Sequence, residues 1–462
     1  MSKLSLLDLG FFVAETQASP KHVGGLHICK RPAKSSSGFA KNLYQEYLSF
    51  TEVKAPFNKC IQFSLTAYPH WKTVTVDVSK HIFFHTLDKT RNDRQGLYEF
   101  VSQLHTPMLD RSRPLWEMHV IDGLADGRFA VYYKMHHAYA DGVTMSSWMA
   151  DSFSASPDDL ELLPVWTLSR ARRDRKRTQL NHELLAAIWK DLAGGSRRFL
   201  GVGRLATMLF LESIKLTKNA IALPFVSSAK TPLTGQVTAG RQFATASVSM
   251  ERVNAIRTQT RSTLNHVALT CLDGALRSYL NDLGIELNRP ITIQMPVNLR
   301  QTGEKSLGNK IGIIQVELSP PTDDPYVRLR NIGYSLRNVR TMVDSVAPEA
   351  IESYTLITNL VAQIAETLRL SNHMPPMGNT LVSNVPGPKD HLYIKGACLE
   401  EMHPISTLPP SNLLNITLFS YAGELYFGMI ATDELPHLDQ LAHYVNVAFS
   451  ELEDTVLHAK GH

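Results

Sequence analysis

The stretch Phe129-Ala130-Val131-Tyr132-Tyr133-Lys134-Met135-His136-His137-Ala138-Tyr139-Ala140-Asp141-Gly142 sets the architecture of the chain around it. Phe129–Met135 holds three aromatic residues and a valine and reads as a strand. Thr144–Phe153 reads as a helix leaving the stretch. Two imidazoles, a carboxylate and a glycine therefore fall on a strand–turn–helix corner, where side chains can face a cavity. Chance matches to H-H-x-x-x-D-G in a chain of this composition number on the order of 0.002, so the pattern is a motif.

Just upstream, Trp116–Ile121 reads as a partner strand, joined through two D-G turn signals at Asp122-Gly123 and Asp126-Gly127. Before it, Gly96–Leu109 places Leu97, Phe100, Val101 and Leu104 on one helical face. His22–Ile28 and Val74–Val78 alternate as short strands, and Leu4-Ser5-Leu6-Leu7-Asp8 looks like a helix start. Beyond Pro164 the composition changes. Arg170–Arg177 is a charge run suited to a solvated linker. The segment 198–226 mixes Leu205, Met208, Leu209, Phe210, Leu211 and Ile214 with Arg198, Arg204, Lys215 and Lys218; such a stripe suits either a membrane surface or packing within the protein. From Arg241 strands and helices alternate again. Strands are expected at 243–250, 291–300, 307–318 and 380–388, with a hairpin at 414–431; helices are expected at 265–283, 325–346, 351–368 and 438–458. The expected organisation is α+β, with an N-terminal half over 1–164, a basic helical linker over 165–240 and a C-terminal half over 241–462.

Composition sets the outer limits. With 462 residues, 44% hydrophobic and 19% charged, the chain can bury a large core. A net charge of +4 is too weak to argue for nucleic acid. The four cysteines, Cys29, Cys60, Cys271 and Cys398, are scattered without C-x-x-C and read as thiols in a reducing compartment. The start carries no signal-peptide pattern, and no run of about 18 apolar residues appears.

The motif itself admits three readings. If the strand stays extended, His136 and His137 project to opposite faces and only one reaches a given cavity; alternation does not say which. One imidazole can act as a general base, since its ordinary pKa lies near 6.5. Two histidines and Asp141 could instead supply metal ligands, although adjacent strand residues diverge and no H-E-x-x-H or C-x-x-C supports them. A plain polar turn is the third reading.

Further blocks narrow the choice. Pro114-Leu115-Trp116-Glu117-Met118-His119, Met295-Pro296-Val297-Asn298-Leu299-Arg300, Leu307-Gly308-Asn309, Val382-Ser383-Asn384-Val385-Pro386-Gly387-Pro388 and Leu414-Asn415-Ile416-Thr417 accompany the motif. Together with Leu4–Asp8 and His22-Val23-Gly24-Gly25 they make the chain resemble, over nearly its whole length, the bacterial wax ester synthase/acyl-CoA:diacylglycerol acyltransferases. These belong with the CoA-dependent acyltransferases that share H-H-x-x-x-D-G. The plant branch carries D-F-G-W-G where this chain has Tyr426-Phe427-Gly428-Met429-Ile430, and no carrier or adenylation module is seen that would suit peptide-synthetase condensation.

The resemblance implies two chloramphenicol-acetyltransferase-like halves with a tunnel between them. It implies His137 as the general base for attack of a long-chain fatty alcohol or diacylglycerol hydroxyl on acyl-CoA, with His136 and Asp141 completing the motif. Asp141 is expected to pair with Arg300 and to shape the site beside Gly142. Asn384 is a candidate oxyanion donor or turn organiser. Asn265 and Asp273, eight residues apart on one helix, could brace the tunnel, or Asn265 could serve as an N-cap. Pro114 and Trp116 suit core or tunnel wall. No metal and no cofactor are expected, acyl-CoA being a substrate, and the expected location is cytoplasmic, peripheral to the inner membrane face or lipid bodies. The competing functions are a non-catalytic lipid-binding or lipid-body protein and a metal-dependent hydrolase.

Overall fold

The computed structural model describes residues 10–12, 14–33, 35–63, 69–140, 142–168, 225, 228–298, 311–346 and 348–458. Two six-stranded sheets organise them. In the first, β1 (His22–Lys30) lies antiparallel to β6 (Arg128–His136), which is flanked in turn by β5 (Trp116–Asp122) and β4 (Ile82–Thr86). Every residue of β6 from Phe129 to His136 is buried, so this strand is covered on both faces. A separate ribbon pairs β2 (Lys59–Gln62) with β3 (His70–Thr73). Around this half lie α1 (Phe39–Ser49), α2 (Arg94–His105) and α3 (Gly142–Ala150).

The second sheet runs β7 (Arg241–Ser249), β14 (Glu424–Thr432), β13 (Leu414–Tyr421), β10 (Thr380–Pro386), β8 (Thr292–Asn298), β9 (Ile311–Glu317). β10 is parallel to both neighbours; the other pairs are antiparallel. Its helices are α4 (Met250–Thr260), α5 (Leu264–Asp282), α6 (Pro325–Ser345), α7 (Pro348–Thr367) and α8 (Leu438–Glu453). α5 buries Val267, Leu269, Leu272, Leu276 and Leu280, and packs on α8. The expected α+β architecture with two sheet-containing halves is present.

The halves are not independent along the chain. β11 (Leu392–Ile394) and β12 (Ala397–Ile405) leave the C-terminal half and extend the first sheet, in the order β11-β12-β1-β6-β5-β4. The sheets therefore do not follow a division at 240/241. β12 also crosses close to β14, and Gly428 makes that approach possible: a Cβ there would sit 2.0 Å from the Pro404 carbonyl oxygen. One apolar cluster spans the seam, joining Leu26, Ile28, Tyr132 and Ile121 to Phe243, Ile405 and Ile430.

Several elements depart from the sequence expectations. Val74–Val78 is not a strand. The strand lies at His70–Thr73, and Asp77 instead caps a short 3-10 turn, Val78–Lys80, by accepting the Ser79 N–H at 3.2 Å. α2 starts earlier than expected because Asp93 caps it, accepting the Gly96 N–H at 2.8 Å, and it ends at His105, before Pro107. α1, α4, β2, β4, β11 and β12 have no counterpart among the sequence expectations. The helix start at 4–8, the charge run 170–177 and, apart from Phe225, the segment 198–226 lie outside the described residues. All four cysteines are free thiols.

Candidate active site

The corner is built by hydrogen bonds from three directions. β6 ends with the His136 N–H donating to the Leu115 carbonyl at 3.0 Å, which continues the pairing with β5. One residue on, the His137 N–H turns to the other side and donates to the Lys21 carbonyl at 2.9 Å. Tyr139 N–H then closes the turn on the His136 carbonyl at 3.0 Å. The buried Tyr139 hydroxyl locks it further, accepting the Leu115 N–H at 2.8 Å and donating to the Lys59 carbonyl at 2.6 Å. Gly142 opens α3, which packs on β10 of the opposite half; a Cβ at Gly142 would lie 3.5 Å from Val385 Cγ2.

The two imidazoles have different surroundings. His136 is fully buried. Its Nδ1 accepts the Ala138 N–H at 3.1 Å, so the ring proton sits on Nε2. Nε2 faces Glu15 Oε2 at 3.6 Å, an electrostatic contact too long for a hydrogen bond, and the ring stacks on Phe12 with centroids 4.3 Å apart. His137 is half-buried and stacks on Phe11 at 4.4 Å with planes 18° apart.

Glu15 anchors this arrangement. Its Oε1 accepts the Lys21 N–H at 3.0 Å, and its Oε2 accepts from Arg111 Nε at 3.1 Å and Nη2 at 2.8 Å. Burial alone would raise its carboxyl pKa, but His136, the Lys21 N–H and Arg111 together hold it down at about 2. Lys21 is itself buried between the halves. Its ammonium donates to Ser19 Oγ at 2.6 Å and to the Leu408 carbonyl at 3.2 Å, and burial, against the pull of Glu366, lowers its pKa to about 8.

The remaining candidates separate. Asp141 and Arg300 lie outside the described residues. Asn384, exposed at the end of β10, donates through Nδ2 to Asn265 Oδ1 at 2.6 Å. Asn265 is not the cap of α5: Thr263 accepts the His266 N–H at 3.3 Å, and His266 Nδ1 accepts the Thr263 N–H at 3.4 Å, a capping box. Asp273 does not join Asn265. It is fully buried and meets Arg277 Nε at 3.1 Å and Arg328 Nε at 3.2 Å, tying α5 to α6. Pro114 is buried, and Trp116 is a core residue, stacked on Trp166 and His81 with Nε1 donating to the Phe57 carbonyl at 2.9 Å.

Sequence reasoning overlooked Glu15, Arg111, Phe11 and Phe12. The signal in the sequence is weak: an aromatic pair near a lone acid close to the start, and an arginine at 111 ahead of the strand that begins at Trp116. Among the described residues no group of three or more His, Cys, Asp or Glu side chains is placed to hold a metal ion, and no helix is long and apolar enough to cross a membrane.

Comparison with known proteins gives a consistent result. The wax ester synthase/diacylglycerol acyltransferase catalytic domain matches residues 4–268, and the C-terminal domain of the same family matches 307–453. A probable diacylglycerol O-acyltransferase of Mycobacterium tuberculosis is 31% identical over 454 residues, covering 97% of this chain and 98% of the relative. The structure of a wax ester synthase/diacylglycerol acyltransferase from Marinobacter aquaeolei superposes with a TM-score of 0.78 at 27% identity, covering 98% and 99% of the two chains. The first condensation domain of the calcium-dependent antibiotic synthetase shares the fold, with a TM-score of 0.61 at 13% identity over 98% and 97% of the two chains.

Proposed function

Since the chain belongs to the wax ester synthase/diacylglycerol acyltransferase family and is an acyltransferase, we propose that it moves a long-chain acyl group from acyl-CoA to a fatty alcohol, a diacylglycerol or both. The observation that carries the reading at residue level is the unequal housing of the two motif histidines: His136 is fully enclosed, whereas His137 is half-buried on a corner that packs against the opposite half.

In this reading His137 is the general base. It takes the proton from the acceptor hydroxyl as that oxygen attacks the thioester carbonyl. A tetrahedral intermediate forms and collapses with cleavage of the C–S bond. His137 then returns the proton to the departing CoA thiolate, so the base is regenerated and no acyl-enzyme is formed. Such a base contributes about 10²–10⁴-fold to the rate, and positioning and oxyanion stabilisation must supply the rest. Asn384, with Asn265 holding one side of its amide, is our candidate for the oxyanion. Asp141 and Arg300, which lie outside the described residues, are our candidates for shaping the loop. The acyl and alcohol chains occupy an apolar passage between the halves, and both substrates are drawn from a membrane or lipid-body surface to which the protein binds peripherally.

The test is CoA release from palmitoyl-CoA with hexadecanol, with diacylglycerol and with neither, each in the presence and absence of a chelator. Release that depends on the acceptor and is unchanged by chelator supports the reading. Release without any acceptor points to a hydrolase, dependence on metal points to metal-assisted chemistry, and no release at all points to a binding protein.

A further inference from the structure

The residues that precede β1 do more than lead into the first sheet. Phe11 stacks on His137 and Phe12 stacks on His136, so one helical turn supplies a platform for each imidazole. Three residues on, Glu15 reaches the same corner by two routes. Oε2 faces His136 Nε2. Oε1 holds the Lys21 N–H, and the carbonyl of that same Lys21 accepts the His137 N–H. Arg111 fixes the carboxylate by donating Nε and Nη2 to Oε2, and its Nη2 also donates to the Phe12 carbonyl at 3.1 Å, joining acid and platform.

We propose that Glu15, held by Arg111, is a positioning residue for acyl transfer: it keeps His136 in the Nε2–H tautomer and, through the Lys21 backbone, sets the place of His137. The inference rests on the reading of His137 as the base. It follows from the donor pattern. The Ala138 N–H directed at Nδ1 and a negative group 3.6 Å from Nε2 both favour the ring proton on Nε2. Glu15 is that group, and Arg111 balances its charge. Glutamine at position 15 has the same shape, but its amide can offer an oxygen to only one side. Either the Lys21 N–H, or Arg111 and His136 together, would then face another donor. The corner would lose its fixed geometry while the surrounding apolar packing stayed in place.

The experiment uses the full chain with palmitoyl-CoA and hexadecanol, and compares wild type, Glu15→Gln, Glu15→Asp and His137→Ala. For each variant kcat is expressed per folded molecule, with folding followed by thermal melting. The tautomer of His136 is read from ¹⁵N ring shifts in histidine-labelled protein. Glu15→Gln is expected to lower kcat about 10–10²-fold, as displacement of a reacting group does, with KM for palmitoyl-CoA within about threefold of wild type and the pure Nε2–H signal of His136 lost. Glu15→Asp keeps the charge but shortens the reach, and is expected to fall between the two while retaining the tautomer. A folded Glu15→Gln with wild-type kcat, or with the His136 signal unchanged, overturns the proposal. If Glu15→Gln does not fold, Glu15→Asp decides alone: wild-type kcat per folded molecule overturns the proposal, and an intermediate kcat with KM retained supports it. If wild type shows no acceptor-dependent release, the reading of function fails instead, and that outcome is distinct because it does not depend on residue 15.

Discussion

Glu15 and Asp273 are buried carboxylates, one in each half, and each meets arginine, yet their pKa values are shifted in opposite directions. Glu15 takes donors on both oxygens: a backbone N–H on one, and Arg111 on the other, where His136 Nε2 also lies at 3.6 Å. Its pKa falls to about 2. Asp273 meets two guanidinium groups through a single oxygen in a drier setting, and burial outweighs the arginines, leaving its carboxyl above the ordinary value. The surroundings also differ in where they lead. The partners of Glu15 run to the two motif histidines. Those of Asp273 run to α6, and even the adjacent glycine serves that joint, since a Cβ on Gly274 would come within 2.8 Å of Arg328 Nη1. A buried acid–arginine pair is therefore no mark of a functional site by itself; what the acid touches on its other side decides.

Three changes would break or sharpen that contrast. The largest is Asp273→Asn, which leaves Arg277 and Arg328 without their counter-charge. A stability loss of about 3–5 kcal/mol is expected in chemical denaturation, with kcat per folded molecule unchanged. Loss of kcat without loss of stability would erase the distinction between the two acids. Next is acid. The Glu15 carboxyl sits at about 2 in the folded protein against an ordinary 4.5. Its contribution is complete above the unfolded value and is lost as pH falls from about 4.5 towards 2. It amounts to on the order of 3 kcal/mol, so Glu15→Gln is expected to flatten the stability curve in that window and no other. The smallest is Tyr139→Phe, which removes the hydroxyl shared by Leu115 and Lys59 and leaves both backbone groups unmet. A cost of about 1–3 kcal/mol is expected from denaturant titration, with Glu15 still titrating as before.

Local chemistry is legible in the sequence. β6 is an aromatic-rich run ending at the first of two adjacent histidines, and the D-G turns before it are real: Gly123 and Gly127 have φ of +91° and +76°. α6 opens as its residues suggest, with Asp324 accepting the Tyr326 N–H at 2.8 Å and Pro325 in the first turn. The parts that could not be read depend on contacts between distant residues. Nothing in Ala397–Ile405 says that, besides β11 next to it in sequence, it also pairs with β1 of the other half, because long-range pairing partners are chosen by topology. Nothing at Glu15 announces His136, since an isolated acid reads as surface. Asp77 shows a third cause: alternation in Val74–Val78 suggested a strand, but the carboxylate found the Ser79 N–H and made a turn. Within the site, the motif was visible, whereas the residues that hold it were not.

The central claim is the division of labour between the two adjacent histidines, with His137 transferring the proton and His136 fixed in the structure. The most direct test is acceptor-dependent CoA release by His137→Ala, measured per folded molecule beside wild type. The account predicts a protein that melts near the wild-type temperature and turns over about 10²–10⁴-fold more slowly. A folded His137→Ala that keeps more than about a tenth of the wild-type rate would contradict it, because a loss below tenfold is smaller than removal of a general base produces.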